Sequence, residues 1–285
     1  MYSRVIPCLR CPLCHGGLVE AIAGSGLALR CANQHSFDIA KQGYVNLACP
    51  APAYPGDSAQ MVEARVQFLG AGHYAFIAQG IAGAAVAAIG QNADGLLVEA
   101  GAGTGYYLSS ALEALPGFSG LALDVSKAAL RRASRAHSRC AAALCDVWRE
   151  LPVMDGAARL VLSVFAPRNG VEFRRILAAD GVLIVVTPTA SHLPELVGPL
   201  ELLSVDPNKE EAVAASLDDR FQRVGHERHD FSLHLSHSEV TALVGMGPSA
   251  WHVDARKLET RIGGLPECVE VTASVHVGTY RVREA

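Results

Sequence analysis

Cys11-Pro12-Leu13-Cys14 and Cys31-Ala32-Asn33-Gln34-His35 set two pairs of metal-binding side chains close together in the chain. A Cys-x2-Cys pair and a Cys-x3-His pair, joined by one short hairpin, suit four-coordinate tetrahedral zinc. Four protein ligands leave no open position for water, so a site of this kind is structural. A module this small has little core, and metal binding would largely fold it. Cys8 and His15 are alternative ligands, and unbound cysteines in a turn are the metal-free alternative. A second stretch also carries chemistry. Leu96-Leu97-Val98 runs into Glu99-Ala100-Gly101-Ala102-Gly103-Thr104-Gly105, a strand ending in an acid and a glycine-rich turn. Glycines at 101, 103 and 105 let the backbone turn tightly and approach a ligand closely. By itself this loop does not choose among nucleotide cofactors, because nicotinamide and flavin enzymes use similar ones. An ordinary strand-to-helix turn is the alternative.

Acids at successive strand ends sharpen the choice. Glu99 suits a cationic amino-acid moiety better than a pyrophosphate. Asp124 ends the next strand, 19 positions after Gly105, where it can accept hydrogen bonds from both ribose hydroxyls. Asp146 follows a third strand, where it could meet an adenine amino group. Together they describe a nucleoside pocket.

The elements that must position these residues are legible as patterns. A Pro-rich linker, Cys49 to Asp57, precedes a helix through Met61, Val62, Val66, Phe68 and Leu69 that Ser58 or Asp57 could cap. A second helix runs from about His73 to Ile89 and stops at Gly90. Strands at 96–98, 121–123, 141–145, 160–165 and 182–186 alternate with helices at 106–115, 127–139 and 171–177. Such alternation implies a parallel sheet covered on both faces. Ligands then sit beyond the carboxyl ends of the strands. Further strands at 228–235 and 269–277 flank a helix near 238–244.

Bulk composition bounds the rest. A chain of 285 residues, half of them hydrophobic, holds a large core, and 18% charged residues argue against long disordered tracts. No apolar run reaches the length of a membrane span. The N-terminus leads straight into the cysteine pairs with no secretory leader, so a cytoplasmic protein is expected. Eight cysteines, four of them in the first 31 residues, then read as metal ligation plus free thiols instead of a disulfide framework. A formal charge of −4 counts mildly against a large phosphate footprint, leaving local basic clusters to contact any nucleic acid. Lys127, Arg131, Arg135 and Arg139 recur every four residues, with Arg132 beside them, and would share one helix face. That face is either solvated or set against phosphates. Arg10, Arg30 and Lys41 are the other candidate contacts.

The glycine loop resembles the cofactor loop of S-adenosylmethionine-dependent methyltransferases. Cys-Pro-Leu-Cys, the phrase from Phe37 to Leu47, Gly56-Asp57-Ser58 and Gly72-His73-Tyr74 are similar to the guanine-N1 methyltransferases of 23S ribosomal RNA. So are Val164 to Asn169, Thr187-Pro188, His192-Leu193 and Met246 to His252. Asp146-Val147-Trp148 and Phe165 to Asn169 are most similar to the actinomycete branch, which includes the tylosin- and mycinamicin-resistance enzymes. The resemblance implies an α/β fold: a Rossmann-like class I methyltransferase with a small N-terminal zinc-binding module. The module, residues 1–48, would help recognise RNA; residues 49–90 would be linker and helices; residues 91–285 would be the methyltransferase domain. It also implies zinc on Cys11, Cys14, Cys31 and His35, and S-adenosylmethionine held by Glu99, Gly101, Gly103 and Asp124, where Glu99 stands in place of the Asp of many members. The implied acceptor is a guanine in a hairpin loop lining the peptide exit tunnel, with macrolide resistance as the outcome and a homodimer as the assembly. In that setting Arg168 could polarise the guanine oxygen, Asn169 could bond its edge, His192 could act as a base or phosphate contact, and Trp251 could stack on a base. A housekeeping enzyme acting on a neighbouring guanine, a small-molecule methyltransferase, and a zinc-dependent RNA-binding protein without catalysis are the competing readings.

Overall fold

The computed structural model describes residues 2–283 apart from 24–25, 53, 55, 207, 218 and 252–253. Ala53 and Pro55 of the linker and His252 therefore lie outside the described residues. Strands β1 (Leu18–Ala23), β2 (Gly26–Cys31) and β3 (Ser36–Asp38) form a small antiparallel sheet beside the Cys/His pairs. Eight strands make the main sheet: β4 (Tyr44–Asn46), β5 (Asp94–Ala100), β6 (Gly117–Asp124), β7 (Cys140–Leu144), β8 (Ala158–Val164), β9 (Leu177–Pro188), β10 (Phe221–Ser236) and β11 (Cys268–Val282). Their order is β10-β11-β9-β8-β5-β6-β7-β4. Neighbours from β9 to β4 run parallel, while β11 is antiparallel to both β9 and β10. From β5 the chain steps outward through β6 and β7, then returns to β8 on the other side. That reversal opens a crevice at the carboxyl ends of β5 and β8.

The central strands are apolar on both faces, as parallel strands covered by helices must be. Along β5, Leu97 enters one buried layer, and Leu96, Val98 and Ala100 enter the other. Helices α1 (Ala59–Gly70), α2 (Ala75–Ile89) and α3 (Tyr106–Ala114) cover the first layer. Ser58 starts α1 by accepting a 3.2 Å hydrogen bond from Met61 N, a cap worth about 1 kcal/mol. Because α1 and α2 build this core, residues 59–89 belong structurally with the large domain, not with a linker. The short helices α4 (Lys127–Ala133), α5 (Gly170–Ile176), α6 (Pro194–Leu200), α7 (Lys209–Leu217), α8 (His237–Gly245) and α9 (Ala255–Gly263) complete the described helical elements.

Two sequence expectations are corrected. The boundary at residue 48 assigned 44–46 to the small module, yet β4 pairs in parallel with β7 and extends the main sheet. The helix expected over 127–139 ends at Ala133, because Ser134 turns inward and donates to Gln42 O at 2.7 Å. The four basic residues therefore do not share a helix face. Arg139 instead donates to the carbonyls of Leu112, Leu115, Pro116 and Phe118, closing the carboxyl end of α3. Arg132 pairs with Glu63 of α1 at 2.7 Å. Arg10 is buried and spent on Glu150 and Leu151 O, which leaves it no phosphate to contact.

Candidate active site and metal centre

Two tight turns make the metal centre. In the first, Cys11 O accepts from His15 N at 2.8 Å; in the second, Cys31 O accepts from Gln34 N at 3.0 Å. His15 and Gln34 are left-handed, with φ of 61° and 64°. Each turn folds its ligand pair inward. The ligand atoms of Cys11, Cys14, Cys31 and His35 all lie within 4.8 Å of one another. Cys14 Sγ to Cys31 Sγ is 3.6 Å, and His35 Nδ1 is 3.5 Å from Cys11 Sγ and 3.4 Å from Cys31 Sγ. A tetrahedron with zinc–sulfur bonds of about 2.3 Å and zinc–nitrogen bonds of about 2.0 Å has edges of roughly 3.5–3.8 Å, so this donor set fits the ion. A hydrogen bond from Gly16 N helps bring the Cys14 thiol down to about 6, favouring the thiolate a metal needs. Neither alternative ligand joins the cluster: His15 faces Glu150 at 3.4 Å, and burial raises the Cys8 thiol.

The glycine loop ends β5 and enters α3. Gly101, Gly103 and Gly105 have φ of 73°, 52° and 76°, a region that side chains adopt at a cost. At Gly101 a Cβ would stand 2.6 Å from Ala166 Cβ, so this turn and the loop after β8 touch backbone to side chain. Glu99 is only 1% exposed and accepts from Leu108 N at 3.1 Å. Burial pushes its carboxyl up to about 8. Asp124 accepts from Gly103 N at 2.7 Å and from Ser126 N at 2.8 Å, thereby holding the loop. Asp146 accepts from Tyr54 OH at 2.9 Å and from Trp148 N at 3.0 Å. The linker hydroxyl thus takes the acceptor that an adenine amino group was expected to use.

A cavity of about 700 Å³ opens beside this loop. Glu99, Gly101, Ala102 and Thr104 line it together with Phe165 to Arg168. Arg65, Tyr74 and His192 line its roof, and Trp148, Leu203 and Trp251, all more than half exposed, stand at its mouth. Phe165 is left-handed at φ 51°, a strained backbone for a non-glycine residue at the end of a strand.

The zinc-ribbon family model described as "RlmA, N-terminal" matches residues 9–51. A protein of Micromonospora griseorubida assigned to the 23S rRNA (guanine-N(1)-)-methyltransferases is 50% identical, over 99% of both chains. The 23S rRNA (guanine(748)-N(1))-methyltransferase of Streptomyces fradiae is 46% identical, over 96% of this chain and 97% of its own. A third relative with the first assignment, YxjB of Bacillus subtilis, is 34% identical over 66% of each chain. The chain belongs to the 23S rRNA guanine-N1-methyltransferase family.

A methyltransferase of this family draws its methyl from S-adenosylmethionine, a sulfonium that supplies the carbon already activated. The cradle fits such a donor. Gly101, Gly103 and Gly105 give the loop its left-handed turn beside the cavity, and Glu99 offers a carboxyl to an ammonium. Arg65 was missed in the sequence, where it is one cation on an otherwise ordinary helix. It donates to Asp57 at 2.6 Å and to Met246 O at 2.8 Å, keeps a buried Nε with no partner among the described residues, and lies 3.3 Å from where a Gly103 Cβ would stand. It suits the donor's carboxylate. Of the residues expected to meet the acceptor, Arg168 and His192 reach the cavity and Asn169 does not. The Asn169 amide donates to Val147 O and Arg149 O and accepts from Glu172 N, capping α5. Its role here is to hold the loop. His192 Nδ1 meets Ser274 O at 3.0 Å and Ser274 N at 3.1 Å, while Nε2 lies 3.3 Å from Tyr74 OH. Burial pushes the imidazole down to about 4, leaving it neutral at pH 7 and a weak base.

Glu99 makes the donor site pH-dependent. Its raised value means that the folded chain binds the extra proton, so stability is full below about 4.5 and is lost as pH rises through 8. An adjacent ammonium reverses the preference. Donor binding at pH 7 is expected to expel close to one proton, read by calorimetry in buffers of different ionisation enthalpy. Glu99→Gln is expected to remove that proton release and to flatten the melting temperature between pH 5 and 8.

Proposed function

We propose that this protein transfers a methyl group to N1 of a guanine in a 23S ribosomal RNA hairpin loop at the peptide exit tunnel, in the cytoplasm, and so protects the ribosome against tylosin- or mycinamicin-type macrolides. The observation that carries the acceptor site is Arg168. Arg168 lines the cavity, its Nε is buried without a partner among the described residues, and it donates to Ala166 O at 3.4 Å. Burial lowers its pKa, so an incoming carbonyl oxygen would relieve an unsatisfied cation.

Guanine N1 carries a proton and is a poor nucleophile while it does. As that proton passes to solvent, charge builds on the exocyclic carbonyl oxygen O6, which Arg168 would stabilise. His192 is too weak a base to remove the proton alone; with Tyr74 behind it, the neutral ring positions the base edge. Target bases in RNA loops are unpaired and can be splayed into a pocket, with aromatic rings as stacking surfaces. The exposed rings of Trp148, Phe165 and Trp251 at the cavity supply such surfaces. Arg168→Ala is expected to lower the single-turnover rate roughly tenfold to a hundredfold while leaving donor affinity unchanged. Arg168→Lys keeps a charge without the planar fork and should fall between.

Methylation at N1 blocks base pairing, so primer extension tests the assignment. Expression in a sensitive host is expected to give a new stop on 23S RNA, sought first at the guanine named for the Streptomyces relative, together with tylosin resistance. A stop without resistance would indicate a housekeeping enzyme. No stop, with no label entering RNA from a labelled donor, would overturn the RNA assignment.

A further inference from the structure

Among the described residues, two groups bring three or more ligand atoms within 4.8 Å of one another. One is the ribbon quartet. We propose that the other, Glu210, His226 and His276, is a second metal site, for one borderline divalent ion with zinc foremost. Imidazole and carboxylate donors suit zinc, with nickel and copper as the nearest competitors. None of the three residues lines the catalytic cavity.

Three elements supply the ligands. Glu210 sits in the first turn of α7, His226 on β10 and His276 on β11. In the β10–β11 register His226 faces Gly278 and His276 faces Arg228, which makes the two histidines diagonal neighbours on one face of the hairpin. Their rings lie 4.4 Å apart. One carboxylate oxygen of Glu210 is 3.3 Å from His226 Nε2, and the other is 3.6 Å from His276 Nδ1. Charge-assisted hydrogen bonds between such groups close to about 2.7–2.9 Å. The 3.3 Å separation instead matches an edge of a coordination tetrahedron with bonds of about 2.0–2.2 Å, roughly 3.3–3.6 Å, with Glu210 ligating through one oxygen. The ribbon shows the same spacing of donors, 3.4–3.6 Å.

Arg223 donates to Glu210 Oε1 at 3.1 Å, which occupies one of the roughly four lone-pair directions a carboxylate offers. Three protein ligands leave one position for water. Such an ion would fasten α7 to the long hairpin at the sheet edge.

Cobalt distinguishes the two sites by colour. Protein carrying one ribbon zinc per chain, titrated with Co2+, is expected to take up a second equivalent that shows ligand-field bands without thiolate-to-metal charge transfer. The H226A/H276A double variant should fold as the parent does by circular dichroism, keep its ribbon metal and take up no second equivalent. Losing partners one shell out weakens metal sites by about 10–100-fold, so Glu210→Ala, a ligand itself, should weaken this one by at least about tenfold. The proposal is overturned if the titration shows no second equivalent, or if the second equivalent carries the thiolate band or persists in H226A/H276A.

Discussion

The Cys31→Ser variant is expected to lose methylation of ribosomal RNA by more than about 1000-fold while binding S-adenosylmethionine within about threefold of the parent. Structural zinc contributes about 10–16 kcal/mol to folding in zinc-finger peptides, far more than three short strands can supply by packing. Cys31 ends β2 and closes the quartet from the side of His35, so the serine removes a thiolate and opens the second turn. The two activities separate because no described residue before Asp57 lines the cavity. Filter binding of the RNA loop, donor calorimetry and a zinc assay on the same preparation check the result. Equal loss of donor binding would show that the ribbon holds up the catalytic pocket as well.

Gly101→Val is expected to weaken donor binding by about 100- to 1000-fold and to lower the methylation rate further. A left-handed backbone costs a side-chain-bearing residue roughly 1–2 kcal/mol, and forced overlap in a packed site another 1–3 kcal/mol. At about 1.4 kcal/mol per tenfold, the sum reaches that range. The overlap falls on Ala166, 2.6 Å from the new Cβ, and Ala166 is two residues before Arg168. One substitution therefore disturbs both the donor cradle and the acceptor loop. Gly156→Ala is the control: its φ is 64°, and nothing lies within 4 Å of the added carbon. That variant should lose about 1 kcal/mol of stability and leave donor affinity intact.

Features set by local rules were legible in the sequence. Ser58 caps α1 as its position suggested, Gly90 ends α2, and the apolar run at 96–98 and the β-branched run at 182–186 are strands of the main sheet. What escaped was set at a distance. Helix α4 stops early because Ser134 bonds Gln42, 92 residues back in the chain. Asp146 is met by Tyr54 across the same separation of 92 residues. Asn169 looked like a base-reading residue, yet its amide was needed at the start of α5. Strand β10 was visible only over 228–235, because most of its 16 residues carry the polar pattern of an exposed edge. Arg65 carries no signature at all: a cation becomes a site only when a glycine loop folds against it.

The pairing of β4 with β7 bears on how this enzyme can be taken apart. The zinc ribbon looks like a detachable cassette, and a fragment starting after residue 48 is the natural cut. That cut would strip the outer strand from the sheet, leaving the backbone of Ala142 to Leu144 as a raw edge. It would also remove Val45 and Leu47, both buried in the layer that Leu123 and Ala143 share. Melting the ribbon and amputating it are therefore different experiments. The first leaves β4 as a hem on the sheet; the second exposes a sticky border that invites chains to pair with one another. A soluble catalytic fragment should begin before Tyr44.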